Sequence, residues 1–411
     1  MRPLPFRIAP SLLSVCAVVA VSAPASVVHA ADPVTVGGFS VDPMGNLGSD
    51  GIEIHPKGLV GVQSNSNLYA TEDDAESDIG VRALAGVLVR WNASETWTWT
   101  GDLEAEALEY AKSENDDAGM IGGRAVVSGR YTGISDEADL EGGIERFADP
   151  LIETGENIER QTVSGRAGWT RLGITNRVSL GVDAVYTDYL EDSPSGSFTE
   201  DDRDLVVGKV NATWGSAIGQ DDYWYLRAQG ERSDYRENTL YNDSWAAAAA
   251  LGLTWAVGER ARLVIDGGVK FRRYDEVFTA ADDDQTVVGP FGQLSFQWPW
   301  EEGSRLDISG YADTDNSISA NAQSILGLRG DVRWRLRDRL TALAGLEAVR
   351  TGDLGSGDGE QRTTGKGQAG IEYALRDGIA MRGLVRGTVS AADLGDDYDR
   401  IEALADLAVV F

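Results

Sequence analysis

The sequence predicts an all-β fold: a single transmembrane antiparallel up-and-down β-barrel of about eighteen strands, with sixteen as the alternative count. Three observations predict it. Stretches of roughly 12–16 residues alternate apolar and polar with period two, as strands with two unlike faces do. The segments joining them are by turns long and acidic, then very short. The tryptophans gather beside the short joins.

The chain opens on a segment that does not belong to the fold. Arg2 and Arg7 make a basic start, Leu12 to Val21 is apolar, and Val28-His29-Ala30 offers tolerated residues at a cleavage position. Residues 1–30 therefore read as a secretory signal peptide, cut after Ala30 or Ala31. Its apolar core is too short for a helical span. Cys16 is the single cysteine and lies inside it, and Val15 is bulkier than a lipoprotein site prefers. The processed chain then has neither disulfides nor cysteine-bound metals. Residues 31–50 read as a short extended periplasmic segment, and 51–411 as one barrel, since no Pro- or Ser-rich linker divides them.

The long connections fall at Thr71–Asp78, Lys112–Ala118, Ala148–Asn157, Glu191–Asp202, Ser233–Asp243, Glu276–Asp284, Asp313–Asn321, Gly352–Arg362 and Ala391–Asp399. The short ones lie around Asn92–Glu95, Gly133–Asp136, Gly173–Asn176, Gly215–Asp221, Val257–Arg260, Trp300–Gly303, Arg337–Arg339 and Arg376–Gly378. Nine long and eight short joins in strict alternation predict an even barrel with tight periplasmic turns, long outer loops and both chain ends on the short-turn side.

Side-chain direction flips at every strand residue, so each strand assigns its own faces. In the last strand Ile401, Ala403, Ala405, Leu407, Val409 and Phe411 form a lipid face, against Arg400, Glu402, Leu404, Asp406 and Ala408. Leu326, Leu328, Val332, Trp334 and Leu336 form another, opposite Arg329, Asp331, Arg333, Arg335 and Arg337. Ile379, Met381, Val385 and Val389 stand opposite Arg382 and Arg386. Indole rings favour the membrane interface. Trp91, Trp97, Trp99, Trp169, Trp214, Trp224, Trp255, Trp298, Trp300 and Trp334 all lie near short turns, and Trp245 alone sits beside a long loop. A terminal aromatic on such a strand resembles the signal read by the barrel-assembly machinery, which assigns Phe411 that role.

The polar faces supply the candidate pore lining. Arg82 and Arg90 precede Asp102, Glu104 and Glu106, which precede Arg124 and Arg130. Asp139, Glu141 and Glu145 come next, followed by Arg166. Opposite charges on adjacent strands pair across a barrel wall. The same groups, with the arginine row 329, 333, 335 and 337 and with Arg382 and Arg386, can line a track for a polar solute.

Other chemistries find little support. A formal charge of −30 argues against a nucleic-acid partner, which needs a basic face. The acidic stretches Glu72–Asp74, Glu114–Asp117, Asp282–Asp284 and Asp353–Glu360 lack the spacing of a calcium loop. They read as solvated loops, with divalent bridging to lipopolysaccharide as the competing use. After processing, His55 is the only histidine, and it falls at the periplasmic start of the first strand, the wrong end for surface catalysis. No carboxylate pair stands out as a hydrolase site, and no cofactor or metal motif is present.

Val41-Asp42-Pro43, Ile54-His55-Pro56, Ser66-Asn67-Leu68-Tyr69-Ala70-Thr71 and Ser77-Asp78 resemble the opening of the type-2 β-barrel porin family, barrels often linked to exopolysaccharide or capsule gene clusters. The family's more usual Asp-Asn is here Ser66-Asn67. The resemblance implies an outer-membrane barrel that moves or anchors surface polysaccharide, and it brings no catalytic residues. The expected function is a channel for a polysaccharide or another polar solute. The alternatives are a surface scaffold or adhesin using the acidic loops, and a hydrolase. Expected partners are outer-membrane lipid, lipopolysaccharide, the assembly machinery and polysaccharide.

Overall fold

A computed structural model of the chain describes residues 34–49, 51–67, 77–112, 120–150, 157–190, 204–219, 222–236, 243–275, 285–316, 322–354, 361–393 and 397–411. Two three-residue strands come first, β1 (Val34–Val36) and β2 (Phe39–Val41). The barrel strands follow: β3 (Ile52–Asn65), β4 (Asp78–Asn92), β5 (Trp97–Tyr110), β6 (Met120–Thr132), β7 (Asp136–Pro150), β8 (Asn157–Leu172), β9 (Asn176–Tyr189), β10 (Leu205–Ala217) and β11 (Tyr223–Tyr235). Then come β12 (Ser244–Val257), β13 (Ala261–Tyr274), β14 (Thr286–Glu301), β15 (Ser304–Asn316), β16 (Ala322–Arg337), β17 (Leu340–Leu354), β18 (Gln361–Arg376), β19 (Ile379–Ala392) and β20 (Tyr398–Val410).

Each of these eighteen strands, β3 to β20, pairs antiparallel with its sequence neighbours, and β20 pairs with β3 to close the barrel. Closure leaves no unpaired strand edge, which is the condition for a sheet to sit in hydrocarbon. The expected count of eighteen and the alternation of joins both hold. Strand ends run a few residues into several of the expected long loops, as at Ser233–Tyr235 and Asp313–Asn316. The tight turns use glycine where φ is positive: Gly258 (φ 71°), Gly303 (φ 76°) and Gly378 (φ 75°). Before Gly303 and Gly378 the incoming strand carries a register shift, at Pro299–Glu301 and Ala374–Arg376, which strengthens the local twist.

The faces fall as the alternation requires. Ile401, Leu407, Leu326, Leu328, Trp334, Leu336, Met381, Val385 and Val389 are all exposed on the outside, while Leu404, Asp406, Ala408 and Arg382 are buried inside. Exposed valine, leucine and isoleucine recur right round the wall, from Val60 and Val81 through Leu180, Val210 and Leu251 to Leu346 and Ile371. A soluble monomer does not carry a continuous apolar band of that size.

Residues 34–41 form a hairpin on the inner side of the barrel. Its turn, Gly37-Gly38, has φ of 53° and 83°, the two left-handed residues of a tight two-residue hairpin turn. Val34, Val36 and Val41 are buried with Leu59, Leu84, Leu88, Ala380, Ala408 and Val410. Those wall residues belong to β3, β4, β19 and β20, the four strands around the closure.

Candidate functional site

Small residues on the inner face determine how charges meet. On β4, Gly86 lies between Lys57 of β3 and Glu104 of β5 in one transverse row. Lys57 therefore reaches over it to Asp102 Oδ1 (2.6 Å) and Glu104 Oε1 (2.6 Å). A Cβ on Gly86 would stand 3.2 Å from Lys57 Cε and 3.1 Å from Glu104 Cγ. The Lys57 ammonium is fully buried between these carboxylates. A buried charge needs such partners to offset its desolvation.

The same construction recurs on the far wall. The inner face of β12 is Ser244, Ala246, Ala248, Ala250, Gly252 and Thr254, and long side chains of β11 cross it to β13. Tyr225 lies over Gly252 and donates to Asp266 Oδ2 (2.9 Å), and Arg227 donates to Asp266 Oδ1 (2.6 Å). Gln293 N donates to the same carboxylate at 3.1 Å, and the Arg227 guanidinium stacks 4.2 Å above the Phe291 ring. Higher up, Glu231 holds Arg272, Lys270 (3.2 Å) and Lys209 (3.4 Å). Lys270 also reaches over Gly289 of β14 to Asp313 (3.0 Å). This second network carries no residue from the expected pore lining. The run Ala246–Ala250 was its one trace in the sequence, a strand whose inner face is too small to do anything but let neighbours pass.

The expected lining residues all project inward, and most meet opposite charge. Arg82 pairs with Glu106, Arg124 with Asp102 (3.0 Å) and Arg90 with Glu53 (3.7 Å). Arg166 stands between Asp139 (3.6 Å) and Asp183 (3.7 Å), and Glu141 is its register partner. Arg130 lies opposite Asp139. In the arginine row, Arg329 pairs with Asp331 on its own strand, Arg333 with Glu372 two strands away (2.9 Å) and Arg335 with Glu302 in a turn (3.9 Å). Arg382 binds Asp406 (2.6 Å) and donates to the Gly37 carbonyl of the hairpin (2.9 Å), and Arg386 lies opposite Glu402.

All eleven tryptophans occupy outward positions by strand alternation. Trp91, Trp169, Trp214, Trp255, Trp298 and Trp334 are exposed. Trp97 stacks on Trp99 at 5.7 Å, and Trp224 meets Trp214 edge-on at 5.0 Å. The Phe411 ring is exposed outside, while its backbone is tied: Phe411 N donates to Pro56 O (2.9 Å), and His55 Nδ1 lies 2.9 Å from Phe411 O. His55 is thus a buried fastener between first and last strands. Of the acidic stretches, Glu72–Asp74, Glu114–Asp117, Asp282–Asp284 and most of Asp353–Glu360 lie outside the described residues.

Most of the segments that carry the family resemblance lie along the closure, while Asp78 at the start of β4 accepts from Lys112 N on the other side (3.0 Å). Asp42 O accepts from Gly378 N (2.6 Å), His55 and Pro56 meet Phe411, Ser66 Oγ accepts from Ile401 N (2.8 Å), and Asn67 donates to Asp399 O (3.1 Å). Leu68–Thr71 lies outside the described residues.

No protein-family model matches the chain, and no curated protein sequence matches it either. Among solved structures, OccAB4 of Acinetobacter baumannii shares 10% identity over 87% of this chain and 98% of its own, with a TM-score of 0.47. OpdL of Pseudomonas aeruginosa shares 13% over 88% of this chain and 100% of its own, with a TM-score of 0.46. The outer-membrane protein OpdK of the same organism shares 10% over 87% and 99%, with a TM-score of 0.46. At this level of likeness nothing about solutes or residue roles transfers.

Proposed function

We propose that this protein is an outer-membrane channel for polar solutes, exported by its N-terminal leader and inserted with its short turns toward the periplasm. The observation that carries the reading is one wall with two solvents. The closed eighteen-strand sheet is apolar outside and, away from the hairpin, densely charged inside. A barrel of this strand number encloses a bore wider than its own side chains fill, and a charged inner face has its lowest energy against water. The tryptophans near the short turns suit one membrane interface.

On this reading the inner charges form a lining of laterally paired groups, the acids of β5 and β7 with arginines of β4, β6 and β8 and the arginines of β16 with Asp331 and Glu372. A solute bearing many hydroxyls and few charges can exchange its water for such a surface without leaving a buried group unpaired. Together with the sequence resemblance, this supports a surface polysaccharide or its fragments as cargo. Purified protein in planar bilayers is expected to show discrete conductance steps, which added long-chain polysaccharide reduces. Folded, heat-modifiable protein without conductance steps would refute the channel.

A further inference from the structure

Charged side chains line much of the inner wall, and among the described residues its apolar groups include a nine-residue cluster at the closure beside the smaller Ala248–Ala250–Phe291 and Tyr274–Val287–Ala322 groups. Leu59, Leu84, Leu88, Ala380, Ala408 and Val410 make an apolar patch at the short-turn mouth, on the lumen side of the closure. Left open to water, such a patch would be costly. The hairpin covers it. Val34 and Val36 are 1% and 0% exposed, while Thr35 and Ser40, on the opposite face, are exposed toward the lumen. Polar contacts fix its position from both sides of the closure: Lys57 Nζ donates to Thr35 O (3.2 Å), and Arg382 donates to Gly37 O. Space is made for it as well, since a Cβ at Gly37 would collide with the Leu59 side chain.

We infer that the β1–β2 hairpin is the bore-setting element of the channel, a fixed shelf that narrows the periplasmic mouth and limits the size of solute that passes. The inference rests on the channel reading above and assigns that channel its narrowing. A strand layer packed on a sheet stands about 10 Å proud of it, a large step inside a barrel of this size. The two faces of the hairpin differ as this role requires. Its valines hold the wall, and its hydroxyls present a wet surface to the passing solute.

The test compares single-channel conductance of the full-length protein with that of a variant lacking residues 34–41 and of the double variant V34D/V36D. Each is first shown to be a folded, heat-modifiable barrel. Both are expected to conduct roughly 1.5- to 2-fold more than the parent, and to admit larger neutral polymers, because a layer of that thickness has left the bore. A third variant, Ser40→Cys, places a thiol on the lumen face of the shelf. Its reaction with a bulky water-soluble thiosulfonate is expected to lower conductance, with the unsubstituted protein as control. If the parent conducts and neither unseating nor labelling changes conductance, the shelf is refuted while the channel stands. If folded parent and variants alike fail to conduct, the channel itself is refuted and the shelf with it.

Discussion

Gly252 and Asp266 show how closely the inner wall is fitted. A Cβ on Gly252 would enter the Tyr225 ring and stand 2.7 Å from Asp266 Cβ. Gly252→Val is therefore expected to lower unfolding stability in lipid vesicles by about 1–3 kcal/mol through overpacking. Asp266→Ala removes the acceptor shared by Tyr225, Arg227 and Gln293 and leaves a mostly buried guanidinium without its partner. Its expected cost is about 3 kcal/mol, read from the same denaturant titration. Unchanged midpoints would show that the lumen water satisfies these groups by itself. Pairs such as Arg124–Asp102 were legible beforehand, because their strands are neighbours and the charges stand in plain alternation. Tyr225–Asp266 was not, because the partners lie two strands apart and meet only once register places Gly252 between them.

At the scale of elements, the two ends of the barrel sequence are fastened by main-chain atoms more than by side chains. Phe411 donates its N–H to Pro56 and offers its carbonyl end to His55, and neither contact needs the ring. Phe411→Ala is accordingly expected to reduce the amount of assembled protein in the outer membrane several-fold while changing the melting temperature of assembled barrels by only about 2 °C or less. Removal of Phe411 altogether should lower both. Equal assembly of Phe411→Ala and parent would place the recognition signal elsewhere. Strand existence was readable from alternation and from the short turns, but strand ends were not. Ser233–Tyr235 and Asp313–Asn316 are polar on both faces or rich in acids, so they read as loop, although the ladder continues through them.

At the scale of the molecule, the lumen charges are interleaved, with opposite signs on the same or nearby strands. Asp102, Glu104, Glu106, Asp139 and Glu141 lie on β5 and β7, and Arg329, Arg333 and Arg335 on β16. Replacing Arg333 and Arg335 together by Gln removes two positive charges from that wall. The reversal potential under a salt gradient is expected to move toward cation selectivity, by about twofold in permeability ratio, with the effect fading at high salt. No movement would mean that the conducting path avoids β16. The closed sheet of eighteen strands was legible because each of seventeen joins announced itself as long or short. The shelf was not, since three-residue strands hold too little periodicity and their partners are split between β3 and β4 and the far end of the chain.

That distance has a consequence in time. Gly37 meets Arg382 across 345 positions, and His55 meets Phe411 across 356. Contacts between such remote residues cannot form until the intervening chain is in place, because closing so long a loop brings no return before the final strands arrive. The hairpin can rest early on Leu59, Leu84 and Leu88 of β3 and β4, but its packing on Ala380, Ala408 and Val410 and its bond from Arg382 must wait for β19 and β20, so its seat is completed only at closure. Protection of the Val410 amide, which bonds Gly378 O beneath the hairpin, should appear last in a pulse-labelling experiment, after the ladder from β10 to β13 is already complete.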